Sequence, residues 1–505
     1  MRTITGTLVL TLAAWAAPNG GTALVDAAKN RDQAGVRAAL NQKADVNAAE
    51  ADGTTALHWA AHNNDAQMAA LLLKAGANSV AMNRYGVTPL AEAAAAGSAG
   101  LIEALLNASA DPNTFTTPEG ETVLMTASRT GNADAVKLLL DKGANPNARE
   151  NFKGQTALMW AAAEGHVEVL KALLAKGADV SIRSADRDTT APKLPAGSPI
   201  APIARGGLTA LLFAARQGEL EAAKTLLDAK ADINQADSDG NNGLTLAILN
   251  SHYDLAQVLI RRGADPNVAN KDGRAALFMA VDMRFPDQSP RPSRKETDKT
   301  TSLDIVQALL AHKANVNQQL KNPAVIDKFA QDHGDRTLST GATPFMRASR
   351  SADIEVMKML LEKGADPKLA NKDGVNALML AAGVGWADKI RGTEEQSLEA
   401  LQLTADLGLD VNAVNDRGET SLHGAARRGA DSIIQFLVGK GAKLNAKNKQ
   451  GFTPLDLANG KGGQNGAVGV PHETTAAILA KLGALEGSGV QDAPPAGALT
   501  QKGAN

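Results

Sequence analysis

The sequence contains no cysteine among its 505 residues. That excludes disulfides, thiolate metal sites, a cysteine nucleophile and a covalently attached c-type haem, while permitting any redox compartment. Aromatic residues are scarce, at 3% against 44% hydrophobic, so alanine and leucine supply the apolar mass. Small side chains of that kind suit thin helices packed closely together. Neither sign of charge dominates, and a formal net charge of −2 gives no global basic field to attract nucleic acid. No segment after the N-terminus approaches the roughly 20 apolar residues a membrane helix needs. Neither a G-x-S-x-G elbow nor an H-E-x-x-H pair occurs.

The two ends differ from the rest. Arg2 precedes a mostly apolar run from Ile4 to Ala14, and Ala14-Trp15-Ala16 forms an A-x-A-like cleavage signal. That is the layout of a secretory signal peptide over residues 1–17. It predicts an exported protein, periplasmic or extracellular, with no membrane insertion of the mature chain. At the other end, residues 485–505 are rich in Gly, Ala and Pro and are expected to be a disordered tail.

Between the ends, one phrase is written many times. Thr22, Thr55, Thr88, Thr122 and Thr156 open copies that are 33 or 34 residues apart. Further copies open at Thr209, Asn242, Ala275, Thr343, Asn376, Thr420 and Thr453, making twelve across residues 21–484. In the copy at Thr156 the threonine can cap a first helix whose apolar face is Leu158, Ala161 and Ala162. Val167, Leu170, Leu173 and Leu174 make the facing stripe of a second helix at helical spacing. Gly165 serves the turn between them, and Gly177 can take the left-handed conformation that ends the second. Pairs such as Asp52-Gly53, Asp239-Gly240, Asp272-Gly273 and Asp373-Gly374 mark hairpin tips between copies. One copy cannot bury its own apolar face, so stability must come from stacking. The first copy, polar at Lys29, Arg31, Gln33, Arg37 and Gln42, looks like an N-terminal cap. Longer steps mark insertions near 182–206, 283–300, 318–341, 386–397 and 460–472. Those near 182–206 and 318–341 fall in the hairpin region, and the other three fall in the turn between helices.

The phrase resembles the ankyrin repeat, whose period is near 33. Thr88-Pro89-Leu90, Thr343-Pro344-Phe345 and Thr453-Pro454-Leu455 are similar to its T-P-L motif, and His58 and His423 stand at its histidine. Gly143-Ala144-Asn145-Pro146-Asn147 and Gly263-Ala264-Asp265-Pro266-Asn267 resemble its closing G-A-D/N-x-N. The resemblance implies an all-α ankyrin-repeat solenoid with β-hairpin fingers, of the exported bacterial type. It further implies a protein-binding scaffold that recognises a partner through a concave face and hairpin tips.

Candidate chemistry is sparse. His58 and His62 stand four apart on a helix without a third ligand, and His58 is expected to hydrogen-bond neighbouring backbone instead of a metal. The Pro192–Pro195 and Pro199–Pro202 pairs read as a stiffened loop. Arg291 to Lys295 is basic but is flanked by Asp287, Glu296 and Asp298. Asp237-Ser238-Asp239-Gly240 is half of a calcium loop, and Gly460 to Gly466 lacks the ending of a P-loop. No cofactor, metal site or catalytic residue is expected. One row is informative: the position four after each opening residue, which the resemblance places on the concave side. It holds Trp160, Phe213, Leu246 and Met279 in four consecutive copies. Exposed, these would form an apolar groove that anchors a partner protein; covered by the insertions, they would be a private core. A second reading builds a small-ligand or enzyme site from the insertions around Arg205, Arg284, Arg294, His333 and Asp335. A third makes the chain a structural spacer in the cell envelope. The leading expectation is a monomeric protein-binding scaffold without chemistry of its own.

Overall fold

The computed structural model describes residues 20–186, 206–284, 297–322, 338–385, 393–462 and 469–489. The expected signal peptide over residues 1–17 and part of every insertion lie outside these residues, as does the chain beyond Gly489.

Twenty-four helices occupy the described residues, with isolated bridges and no extended strand among them. They alternate as first and second helices of successive copies, and the contacts divide them into two compact units. In the first unit the first helices are α1 (Gly20–Lys29), α3 (Ala56–His62), α5 (Pro89–Ala95), α7 (Val123–Thr130) and α9 (Ala157–Ala163). Their second helices are α2 (Gln33–Asn41), α4 (Ala66–Lys74), α6 (Ala99–Asn107), α8 (Ala133–Asp141) and α10 (Val167–Ala175). The residues of α11 (Ala210–Gln217) and α12 (Leu220–Asp228) are divided between the units. The second unit holds first helices α13 (Gly243–Leu249), α15 (Ala276–Asp282), α17 (Pro344–Arg350), α19 (Ala377–Ala382), α21 (Ser421–Arg428) and α23 (Pro454–Ala458). Its second helices are α14 (Tyr253–Arg261), α16 (Ser302–Ala311), α18 (Ile354–Glu362), α20 (Glu394–Asp406), α22 (Asp431–Gly439) and α24 (Glu473–Lys481).

Within each unit first helices pack on first helices, and second helices on second helices, so each is a two-layered stack. Leu57, Leu90, Leu124 and Leu158 are buried along the first layer, facing Val136, Leu139, Leu170 and Leu173 of the second. Each fully buried leucine of this kind contributes about 1.5–3 kcal/mol. The second unit adds larger side chains, with Phe278, Leu338, Met346 and Met379 in one cluster.

Helix starts follow the opening residue. Thr88, Thr122 and Thr156 accept the N–H of the residue three further on, and Asn242 and Asn376 do the same with their amides. His58 and His423 add a second device. Their Nδ1 atoms receive the N–H of Thr55 and Thr420, at 3.2 and 3.1 Å. That leaves the proton on Nε2, which donates to the carbonyls of Val87 and Phe452 in the next copy. The expected backbone role of His58 is therefore observed.

Two further ladders join the copies. Asn113 donates from Nδ2 to the Gly143 carbonyl and accepts the Asn145 N–H on Oδ1, and Asn147 makes the same bridge to Gly177 and Asp179. The last asparagine of the closing motif is thus a cross-link between copies. At the turn, His166, His252 and His472 place Nε2 on the carbonyls of Arg129, Arg216 and Arg427. A β-carbon at Gly131 would lie 2.7 Å from the His166 ring, on a backbone with φ +79°. Only glycine fits there. The first residues of the tail are bonded to the last copy: Leu485 N–H donates to Asn445 and Gly487 N–H to Asp456.

Candidate functional site

Most of the described hairpin tips are held by one acceptor at the base. Asn83 Oδ1 receives the N–H groups of Tyr85 and Val87, both at 3.0 Å. Asn270, Asn371, Asn415 and Asn448 repeat this, and Asp237 does so with a carboxylate. Burial pushes the Asp237 carboxyl above its ordinary range. The half calcium loop is thus a hairpin tip whose first acidic oxygen is already occupied. Glu150 does the same work on a tip of different sequence, receiving the N–H groups of Phe152, Lys153 and Gln155. Tips also bond to their neighbours, with Arg84 N–H on the Asp52 carbonyl at 2.8 Å and Asn151 N–H on the Glu119 carbonyl at 2.7 Å. Side chains at these tips therefore project from a fixed backbone.

In the first unit two tips carry an aromatic, Tyr85 and Phe152, while the others carry Asp52 and Glu119, and a third aromatic, Phe115, stands at the base of its hairpin, bridged to Thr122. Tyr85 is 54% exposed, Phe115 55% and Phe152 74%. The Arg84 guanidinium stacks 4.8 Å from the Tyr85 ring, and Lys153 Nζ lies 5.7 Å from that of Phe152. Val80 and Met82, just before the first of these tips, are also exposed. In the second unit the tips carry Asp239, Asp272, Asp373, Arg417 and Gln450 instead. The sequence reading named hairpin tips in general but missed these residues. The signal available was contrast: aromatic side chains in a chain poor in them, at positions elsewhere filled by charged or polar groups.

The row on the first helices has a repeated build in the same unit. Lys29 pairs with Glu50 at 2.9 Å and stands 4.7 Å over the Trp59 ring, and Trp59 Nε1 donates to Glu50. His62 meets that ring edge-on and pairs with Glu92 at 3.0 Å. Three copies later Arg129 pairs with Glu121 at 3.4 Å and stands 4.8 Å over the Trp160 ring. Each tryptophan is half-buried under a cation from the copy before. The Trp160 Nε1, unlike that of Trp59, is buried without a hydrogen-bond partner.

The other three anticipated anchors are not exposed. Phe213 is 5%, Leu246 8% and Met279 1% accessible. The expectation of an open apolar groove through all four is corrected on this point. The physical reason lies in their helices: α13 buries Gly243 through Ile248, and α15 buries every residue from Ala276 to Asp282. A helix that is apolar all round goes inside. Trp160 and Phe213 belong to the first unit, Leu246 and Met279 to the second.

Of the residues in the insertion-built reading, Arg205, Arg294, His333 and Asp335 lie outside the described residues. So do Pro192–Pro195, Pro199–Pro202 and Arg291–Lys295. Arg284 is described, and it pairs with Asp353 at 2.8 Å and Glu355 at 3.5 Å. No group of three or more potential metal ligands occurs among the described residues, and no helix there is long and apolar enough to cross a membrane.

Comparison with known proteins gives a consistent likeness. A model of ankyrin repeats in triplicate matches residues 8–83, 24–116, 90–184 and 196–270. A many-copy ankyrin model matches 403–458, and a single ankyrin repeat matches 340–372. Alpha-latrocrustotoxin-Lt1a of Latrodectus tredecimguttatus is 26% identical over 33% of this chain and 10% of the toxin. Palmitoyltransferase AKR1 of Lachancea kluyveri is 28% identical over 32% of this chain and 21% of that protein. A probable 26S proteasome regulatory subunit p28 of Saccharomyces cerevisiae is 30% identical over 33% of this chain and 62% of that subunit. The chain thus spans less than two thirds of the length of each of these relatives. Among solved structures, the human ASB11 ankyrin repeat domain aligns with 48% of this chain and 98% of its own, at 24% identity and a TM-score of 0.40.

Proposed function

The chain belongs to the ankyrin-repeat family, and from that premise we propose that it is a scaffold or adaptor that binds another protein through the first unit. One observation carries the reading. Of the nine large hydrophobic side chains that are exposed among the described residues, five (Val80, Met82, Tyr85, Phe115 and Phe152) lie in its hairpin segments. Exposed apolar groups on a rigid, hydrogen-bonded row mark an interaction surface, because water gains when they are covered. Trp160 and Trp59 supply half-buried aromatics on the first helices of the same unit. Phe213, Leu246 and Met279, being buried, act as packing rather than as contact groups.

Binding is proposed without catalysis, cofactor or nucleic acid, by a monomer that is exported after cleavage behind Ala16 or Ala17. Mass measurement of the mature N-terminus tests the export. The array of twelve copies is the frame on which the tips are set. For the binding, the test is affinity capture from the exported fraction, wild type against Tyr85→Ser/Phe115→Ser/Phe152→Ser. Aromatic hot spots contribute about 2 kcal/mol or more each, so the triple variant should lose its partner while its helical circular dichroism stays unchanged. A variant that captures as well as wild type would sink the reading.

A further inference from the structure

The asparagine ladder is broken at Val80, as it is again at Ser181 and Lys368. At the junctions on either side of Val80, Asn47 bridges to Gly76 and Asn78, and Asn113 bridges to Gly143 and Asn145. Asn147 continues the series. Between the copies opened by Thr55 and Thr88 the bridging position is Val80. Valine has no side-chain amide, so the Asp111 N–H and the Ser109 carbonyl lack the group that spans their counterparts at the Asn47, Asn113 and Asn147 junctions. The position before it changes as well. Where the array has Val46, Pro112, Pro146 and Val180, this copy has Ser79, whose hydroxyl turns inward to the Ala108 carbonyl.

Replacing a branched or cyclic side chain by serine removes volume, and a cavity of about 180 Å³ occupies this place. Leu90, Val80 and Met82 give it apolar walls, and Asp111 and Thr114 also line it. Val80 and Met82 are 51% and 63% exposed, so the cavity opens onto apolar surface. Asp111 is exposed, and its Oδ1 receives only the N–H of Asn113 in its own loop. Its carboxylate has no cation within ion-pair distance among the described residues. Thr114 leads directly into Phe115, and Met82 into the tip bearing Tyr85.

We infer that this break is a peptide-docking site. Its occupant is an extended segment of a partner protein, with an aliphatic side chain in the cavity and a lysine or arginine on the Asp111 carboxylate. A main-chain carbonyl of that segment accepts the Asp111 N–H. The chemistry follows from the walls: a gap the size of one side chain, lined by Val80, Met82, Leu90 and Ala110 alongside Ser79, Thr88 and Thr114, an unbridged amide N–H and an uncompensated negative charge. The inference rests on the protein-binding reading and names the chemistry of the partner.

The test uses the full chain and a displayed library of random peptides. Selected peptides should carry an aliphatic residue with a Lys or Arg close by. Ser79→Val/Val80→Asn rewrites the junction in the pattern of Val46-Asn47, filling the cavity and restoring the bridge. It should cost the selected peptides at least about tenfold in affinity, roughly 1.4 kcal/mol, with the melting temperature kept or raised. Asp111→Asn should erase the preference for the basic residue and keep that for the aliphatic one. Peptides without this pattern, or peptides that bind the double variant as they bind wild type, overturn the inference. If no peptide depends on the cavity while the aromatic-tip variant still loses its natural partner, the docking site falls and the protein-binding reading stands. If neither effect is seen, both fall.

Discussion

At the scale of single residues, the fold is set by side chains that each answer one backbone demand. His58 and His423 show the most constrained case. Nδ1 accepts the threonine N–H and Nε2 donates to a carbonyl of the next copy, so a second ring proton would face a donor. Burial lowers both imidazoles from their ordinary value. A depressed folded pKa means that the native state holds fewer protons than the unfolded one. Stability is therefore complete above the unfolded value near 6.5 and is lost as pH falls through the folded values. Glutamine at this position can still accept the threonine N–H, as in a capping box, but does not titrate. Replacing both, His58→Gln/His423→Gln, should flatten the fall in melting temperature between neutral pH and mild acid. At neutral pH each replacement should cost about 0.5–1.5 kcal/mol for the lost bond to the next copy. An unchanged acid slope in the double variant would place the proton uptake elsewhere.

At the scale of elements, helices this short are marginal alone, since nucleation is costly and isolated helices under about 12 residues barely form. Neighbouring copies must hold them, and in the second unit part of that hold is ionic. Arg347 on α17 donates from Nε to Asp282 on α15 at 2.5 Å, with both side chains buried, and Arg347 also bonds Ser351 on the following turn. Arg350, three residues further along α17, donates to the carbonyls of Val384 and Gly385 beyond α19. This copy therefore sends one arginine backward and one forward along its unit. Arg347 stands four after Thr343, the same place in the repeat as the apolar anchors, yet its partner Asp282 lies 65 positions away. No local pattern joins them. Arg347→Met breaks this buried ion pair and should cost about 3–5 kcal/mol, whereas Arg347→Met/Asp282→Leu should return to near or above wild type. Hydrogen exchange of the α15 and α17 amides measures both. A double variant as weak as the single one would show that the arginine holds the helices by packing and not by charge.

At the scale of the whole chain, the fold was legible because every stacking device is local and repeated. Thr156, Gly165 and Gly177 each occupy a fixed place in the period, and helices form where they predicted. The site was less legible. Counting four positions from each threonine finds a helix face, but cannot tell whether that face is covered. Trp160 stayed half-exposed under Arg129, while Phe213, Leu246 and Met279 went inside. Tyr85 and Phe152 break the pattern of the tips, and Phe115 that of the hairpin bases, and a search for what repeats passes over what does not. The same locality governs how damage spreads. Each helix pair touches only its neighbours, so stability is close to a sum of copy and interface terms. Leu139 is fully buried on α8, which packs on α6, α7 and α10. Leu139→Ala should cost about 2–5 kcal/mol through lost burial and the cavity left behind. Exchange should quicken in the amides of α6 to α10, while α1 and α2 at the start of the unit keep their protection. Equal loss across α1 to α10 would mean that the first unit unfolds all at once, and that the sum over neighbours does not describe it.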